Sequence, residues 1–376
     1  MFKDPLNGRG ARTNASGRYE RFAREEFDDG WAPGEVIPLE TIVTPELAKT
    51  IISTNASPDI SFDQSINPYR GCEHGCIYCY ARPNHAYVGL SAGLDFETKL
   101  FVKANAAELL EQAFAKPSYR PRTIMLGGVT DIYQPIERGY GVTRALLEVM
   151  ERWRHPVALI TKSQLVIRDL DILARLAERG LAKAAISVTT LDRRISRVME
   201  PRAAAPHRRI EAIRMLAQAG VPTTVMVAPI VPAINDSEIE AILEACAAAG
   251  ASAAGYVVLR LPLEIKDLFR EWLAQHFPDR QTKVMTIVRS MRNGRDYDPE
   301  WGVRQKGEGA YAKLIADRFA RAARRLGLDK PRLPLDHTQF RRPVEAGGQQ
   351  DLFAAEEDVP RLRLVAEEQR RFDEES

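Results

Sequence analysis

The chain has 376 residues, with 53 Lys and Arg against 51 Asp and Glu, so a formal net charge of +2 excludes a strongly basic nucleic-acid coat. Gly (24) and Pro (23) are at ordinary levels, which excludes collagen-like and wholly disordered chains, and a hydrophobic content of 45% supplies a core. The length admits two or three domains, or one α/β barrel taking most of the chain. No apolar run reaches the roughly 18 residues of a membrane span, and the first thirty residues lack the apolar stretch of a signal peptide. The expectation is a cytoplasmic protein with no membrane partner. Of four cysteines, three fall between positions 72 and 79, a clustering that in a reducing compartment points to metal or cluster ligation rather than disulfides.

Residues 1–40 are rich in Arg, Glu, Asp and Gly without periodicity and read as an extended or disordered arm. The core, 41–280, opens with apolar residues at mixed spacing in LETIVTPELAKTIISTN. SINPYRGC (65–72) then reads as a short strand running into a loop. From there apolar runs alternate with helix-period stretches. TIMLGG (123–128) precedes VTRALLEVMERW, VALITKS (157–163) precedes RDLDILARLAERG, and AAISVTT (184–190) precedes HRRIEAIRMLAQAG. TTVMVAPIV with DSEIEAILEACAAAG, and AAGYVVLRLP with EIKDLFREWLAQHF, complete the series. Strands that are apolar throughout are buried on both faces, so the pattern predicts a parallel sheet covered by helices. Gly180, Gly220 and Gly250 stand where a helix must end before the next strand. About six strands are fewer than the eight of a closed barrel, which gives an α/β fold with a partial βα barrel. Residues 281–343 read as a basic loop and one amphipathic helix, a C-terminal appendage. Residues 344–376 form a charged, mostly disordered tail.

Cys72, Cys76 and Cys79 have the spacing C-x3-C-x2-C on a loop after a strand, which lets three thiolates share one small volume. A structural zinc site is closed by four protein ligands, whereas three cysteines on an iron–sulfur cluster leave one iron open. His74 or His85 would complete a zinc site instead.

The loop as a whole, NPYRGCEHGCIYCYAR, resembles the radical S-adenosylmethionine enzymes, whose signature is this spacing with an aromatic residue, here Tyr78, just before the third cysteine. LGGVTDIYQPIE, LITKS, RDLDIL, EPRAAAPHRRIEAI and MVAPIVPAIND extend the resemblance to the spore photoproduct lyase-related branch, over roughly residues 40 to 325. The resemblance implies a [4Fe–4S] cluster on the three cysteines, S-adenosylmethionine chelated to the open iron, and an external electron donor of flavodoxin or ferredoxin type. One electron would cleave the sulfonium to a 5′-deoxyadenosyl radical, with the protein supplying orientation and excluding water.

Carried over by position, Tyr78 is expected at the adenine, and Gly127 and Gly128 at the methionine amino group, where bare backbone permits close approach. Val129 stands where the family has an acidic residue, so Thr130 or Asp131 is expected to take that part. Ser187 and Thr189 are expected at ribose or carboxylate, and Arg197 at the methionine carboxylate. Lys162 and Ser163, with Asp131, Tyr133, Gln134 and Glu137, are expected to line the substrate mouth, because ligands in such folds bind at the C-terminal strand ends.

Spore photoproduct lyase uses a further cysteine as hydrogen donor. The spare thiol here, Cys246, lies in an alanine-rich helix and reads as a core residue, leaving Tyr133 or Tyr256 as substitutes. In the tail, Gln349, Leu352 and Phe353 of QQDLF resemble the pentapeptide that docks on the bacterial sliding clamp. Arg292, Arg295, Arg304 and Lys306 lie among Tyr297 and Trp301, and Arg318, Arg321, Arg324 and Arg325 follow on one helix, a mixture suited to nucleic acid. The expectation is lyase-like radical chemistry on DNA. The same chemistry on another substrate, and a zinc-binding adaptor without catalysis, are the alternatives.

Overall fold

A computed structural model of the chain describes residues 8–20, 39–330 and 334–343. Residues 1–341 make one compact unit, and 342–376 are a second, of which only 342 and 343 are described. Among the described residues ten strands occur in chain order: β1 (Ile42–Glu46), β2 (Ile52–Thr54), β3 (Gln64–Ile66), β4 (Tyr69–Arg70), β5 (Lys99–Lys103), β6 (Ile124–Leu126), β7 (Val157–Thr161), β8 (Ala182–Ser187), β9 (Thr223–Ile230) and β10 (Ala253–Val258). Seven form one sheet in the order β10-β9-β8-β7-β6-β3-β2. Six of these, β3 and β6 to β10, run parallel in sequence order, and β2 pairs antiparallel with β3 at the edge. This is the open βα barrel expected, with β2 added.

The strand read over 65–72 is two. β3 joins the large sheet, while β4 turns off it and pairs antiparallel with β5, whose other side carries β1. Asn67 and Pro68 separate them, and proline supplies no N–H to continue a ladder. The cysteine loop therefore starts from a small side sheet.

Strand register decides which residues face inward. Leu126, Leu159, Ile186 and Val225 are fully buried against the helices Ala106–Ala115, Val142–Arg152, Leu170–Glu178 and Pro206–Gln218. Met125, Ile160, Ala185 and Met226 lie on the opposite face and are only half buried. Uniformly apolar strands thus cover two different environments: a helix-packed outer face and an inner face with room beside it. Gly250 has a left-handed φ of 97°, and a Cβ there would come within 2.7 Å of the Ala217 Cβ, so the helix end needs glycine.

The appendage contains Gln281–Ser290, a short turn of helix and the long helix Gly309–Arg325. Leu328 then returns to the edge strand, where its carbonyl accepts the Ala254 N–H at 3.1 Å. No helix among the described residues is long and apolar enough to cross a membrane.

Candidate active site

The three thiols sit on a loop held almost entirely by buried backbone ties. At its entrance Gly71 has φ of 74°, and a Cβ would lie 2.5 Å from Leu100 Cδ2 and 2.8 Å from the Phe96 carbonyl. The loop turns through Gly75 N–H to Cys72 O (3.3 Å) and Cys79 N–H to Cys76 O (3.2 Å), and Ile77 N–H binds Met199 O (3.1 Å). Gln134 accepts the Glu73 N–H at 2.8 Å and donates to Gly71 O at 3.3 Å. Arg82, wholly buried, donates to Cys76 O at 2.9 Å and Gly75 O at 3.1 Å, and pairs with buried Glu97 at 2.5 Å.

None of the three cysteines is in a disulfide; Cys72 and Cys76 are buried and Cys79 half buried. Burial pushes the Cys72 thiol well up, and the charges of Asp131, Cys76 and Cys79 add to it, against one backbone N–H from Asp131. Burial, then Glu200, pushes Cys76 up to about 12, with Lys162 opposing. Burial of this kind works against a thiolate at Cys72 and Cys76 unless a cationic centre compensates it. Soft thiolates suit an iron–sulfur cluster.

The histidines do not extend the set. His74 Nδ1 faces Asp131 at 3.3 Å, while His85 Nε2 lies 2.9 Å from the Lys99 carbonyl with its ring against Phe96. Among the described residues no three His, Cys, Asp or Glu side chains converge on a single metal ion.

Beside the loop, at the ends of β7, β8 and β9, lies a buried polar network centred on Glu200, a residue for which sequence reasoning assigned no role. Glu200 accepts from the Tyr78 hydroxyl, from Thr189 Oγ1 at 2.6 Å and from Arg209 Nη2. Arg209, 1% exposed, also donates to the Ser187 carbonyl at 3.1 Å. Lys162 Nζ lies 5.8 Å from the Tyr78 ring centroid, and its charge acts on both Glu200 and Cys76. Tyr78, Thr189, Ser187 and Lys162 are therefore brought together with Cys76. Arg197 is not: it is exposed on the helix Arg193–Met199, and the buried guanidinium is Arg209.

Other expected residues serve the scaffold. Gly127 has φ of 87° and would drive a Cβ to 2.6 Å from Ile160 O, whereas Gly128 meets only ordinary contacts with Phe62 and Ser65. The Gly128 carbonyl accepts the Tyr80 hydroxyl. Thr130 Oγ1 is committed to Tyr69 O at 3.1 Å. Asp131 accepts from Thr161 Oγ1 (2.6 Å), Lys162 N–H (2.8 Å) and Tyr133 N–H (2.9 Å). Although burial works to raise its carboxyl, His74 and these donors hold it well below the usual range. Ser163 caps the following turn by accepting Leu165 N–H at 3.2 Å.

Tyr133, Gln134 and Glu137 are fully buried behind the loop instead of lining a mouth. Glu137 takes Arg168 at 2.6 Å and the Tyr69 hydroxyl. Cys246 is a core residue, its thiol pushed up to about 12 by burial. Tyr256 packs on Phe319 at 4.7 Å between ring centroids. Gln349, Leu352 and Phe353 lie outside the described residues.

The basic appendage is largely consumed. Arg292 is buried and donates to Val303 O and Leu259 O; Arg304 engages Asp59 and Ser57. Arg318 and Arg325 pair with Glu240 and Glu244, while Arg295 and Arg321 are exposed. Arg260, just past β10, stands out. Its guanidinium carbon lies 5.1 Å from the Tyr80 ring centroid and 6.0 Å from that of Tyr297, and its buried Nε has no partner among the described residues.

An open parallel sheet with three cysteines and a buried polar network at its C-terminal mouth has the layout of an α/β enzyme. The chain belongs to the Radical SAM superfamily, whose sequence pattern matches residues 66–246. Uncharacterized proteins of Mycobacterium tuberculosis (strain ATCC 25618 / H37Rv) and Mycobacterium bovis (strain ATCC BAA-935 / AF2122/97) are each 33% identical over 232 residues, 61% of this chain and 68% of the relative. Among solved structures, spore photoproduct lyase complexed with dinucleoside spore photoproduct superposes with a TM-score of 0.55 at 17% identity, covering 76% of this chain and 79% of that one. At that identity the likeness is one of fold.

Proposed function

We propose that this radical SAM enzyme holds a [4Fe–4S] cluster on Cys72, Cys76 and Cys79, uses S-adenosylmethionine, and acts on a nucleic-acid lesion by lyase-like chemistry. The observation that carries the reading is the set of three neighbouring cysteines, none in a disulfide, on one tightly held loop at the mouth of the parallel sheet. When bound, the cluster and S-adenosylmethionine supply a 5′-deoxyadenosyl radical, given one electron from an external donor. The chain's part is to hold and orient. Lys162, Ser187, Thr189 and Glu200 present polar groups beside Cys76 for the amino, carboxylate and ribose groups of the cofactor, and the buried loop keeps water away.

Arg260 supports a nucleic-acid substrate. A half-buried guanidinium beside the Tyr80 ring and bonded to the Tyr297 hydroxyl at 3.3 Å suits a phosphate flanked by a base. Spore photoproduct lyase, the structural neighbour, is complexed with dinucleoside spore photoproduct, which agrees. Ion pairing removes Arg318 and Arg325 from the nucleic-acid surface expected of that helix, so the substrate side of the proposal rests on Arg260.

Anaerobic reconstitution with iron and sulfide, followed by dithionite and S-adenosylmethionine, tests the chemistry. 5′-Deoxyadenosine should form, and Ala at any of the three cysteines should abolish both it and the visible iron–sulfur absorbance. Full absorbance in those variants would sink the cluster assignment. For the substrate, Arg260→Ala should weaken binding to ultraviolet-irradiated single-stranded DNA and lower the slope of its salt dependence by about 1. An unchanged slope would remove the nucleic-acid reading.

A further inference from the structure

Residues 8–20 form neither helix nor strand, yet they are fastened along their length. Buried Glu97 takes the Gly10 N–H at 2.9 Å and the Ala11 N–H at 2.8 Å, with the same carboxylate that pairs with Arg82. Arg9 donates to Glu97 O at 3.0 Å. Leu94 N–H reaches Thr13 O at 3.2 Å, and Asn14 exchanges two hydrogen bonds with Asp95, at 2.9 and 3.0 Å. On the other flank, Thr13 bonds Glu271 (2.9 Å), Arg12 bonds Gln275 (3.2 Å) and Arg18 pairs with Glu264 (2.8 Å). Glu271 and Gln275 belong to the helix Ile265–His276 that follows the last strand of the sheet, and Glu264 caps its start. The segment thus runs between the cysteine loop, which leaves the first side of the open sheet, and the helix at its last.

The seat is cut to fit backbone against backbone. A Cβ on Gly10 would lie 1.8 Å from the Gly75 carbonyl oxygen, and one on Gly93 would lie 2.1 Å from Thr13 O. Both clashes are with main chain, which cannot swing aside as a side chain would. Ala11, wholly buried, packs in the same apolar cluster as Cys76, Ile77 and Tyr78.

We propose that residues 9–18 are a strap that fixes and seals the cysteine loop, with Glu97 as the positioning residue that couples the strap to Arg82 and, through Arg82, to the Gly75 and Cys76 carbonyls. One buried carboxylate reads both sides: with the strap seated, both oxygens are occupied and the guanidinium is held flat against the loop. With the strap lifted, Glu97 and Arg82 open to water and the loop loses its outer wall. An exposed thiolate-held cluster is more readily attacked by oxygen, so the strap governs how long the cluster survives as well as where its ligands stand. The assignment rests on the proposed cluster for its second readout only.

The test uses the full-length chain carrying Gly10→Val, and separately the triple variant Arg12→Ala, Thr13→Ala, Arg18→Ala, which frees the helix end of the strap. Gly139→Val, at a glycine with open space around it, is the control. Amide exchange of the apoprotein should accelerate about tenfold or more in both 8–20 and 72–82 in the two strap variants, with the rest of the sheet and the melting temperature of the control unchanged. Acceleration confined to 8–20, or none, overturns the strap. In reconstituted protein the visible absorbance should bleach in air several-fold faster in the strap variants than in wild type or control, and equal rates overturn the sealing role. A wild type that takes up no cluster would defeat the proposed function while the exchange result still decides the strap.

Discussion

Glu200 and Arg209 are a fully buried ion pair within reach of Tyr78, Thr189 and Lys162. Burial works to raise the Glu200 carboxyl, but Arg209 and Lys162, with hydrogen bonds from Arg209 and Thr189, leave it below the ordinary glutamate value. A carboxyl lowered on folding contributes stability that is present above the unfolded value, about 4.3, and is lost as pH falls through the folded one. Glu200→Gln leaves Arg209 buried without its counter-charge, an expected loss of about 3 kcal/mol at neutral pH. Denaturant midpoints should show that deficit shrinking as pH drops from 7 towards 3; a deficit independent of pH would contradict the assignment. The cysteine spacing was legible because its three positions are neighbours along the chain. The Glu200 network was not. Its members are scattered along the chain, and nothing in RRISRVMEPRAAAPHRR (193–209) marks Arg209 as the arginine that turns inward; the resemblance pointed to Arg197.

At the scale of elements, the parallel strands β6 to β10 were readable as largely apolar runs, as expected of a sheet covered by helices, whereas β3 (Gln64–Ile66) carries only one apolar residue. β1, β2 and β5 escaped notice and β4 was merged with β3: with two to five residues each, they are too short or too polar to show a period of two. The helix Gly309–Arg325 illustrates the limit of charge patterns. Its arginines read as a basic face, yet Arg318 meets Glu240 and Arg325 meets Glu244 on the neighbouring helix Ile239–Ala248. Both pairs are solvent-accessible, so Arg318→Ala should cost less than about 1 kcal/mol in thermal or chemical unfolding. It should also leave DNA binding unchanged, and a large loss of affinity would restore the helix as a nucleic-acid surface.

On the scale of the compact unit, distant parts of the chain are tied to the sheet's two ends. Residues 334–341 return to the side where the strands begin. Phe340 stacks on Trp153 at 5.9 Å and meets Phe114 and Tyr119 at 5.7 and 5.6 Å, while Arg341 N–H binds Trp153 O at 3.1 Å. This half-buried ring should make Phe340→Ala cost about 2 kcal/mol, measured by denaturant unfolding. A neutral effect would show the aromatic cluster closes without it. Hydropathy gave no hint of this return, because RLPLDHTQFRR is polar on average and its anchor is a single ring.

The strap has a consequence in time. Thr13 and Glu271 are 258 residues apart in sequence, and Arg12 and Gln275 are 263 apart. At about 5–20 residues per second of synthesis, the cysteine loop exists for on the order of ten seconds or more before the helix Ile265–His276 has been made. During that interval the thiols are on a chain whose outer wall has no second anchorage. The order of synthesis therefore makes the cysteine loop first and the second anchorage of its outer wall last.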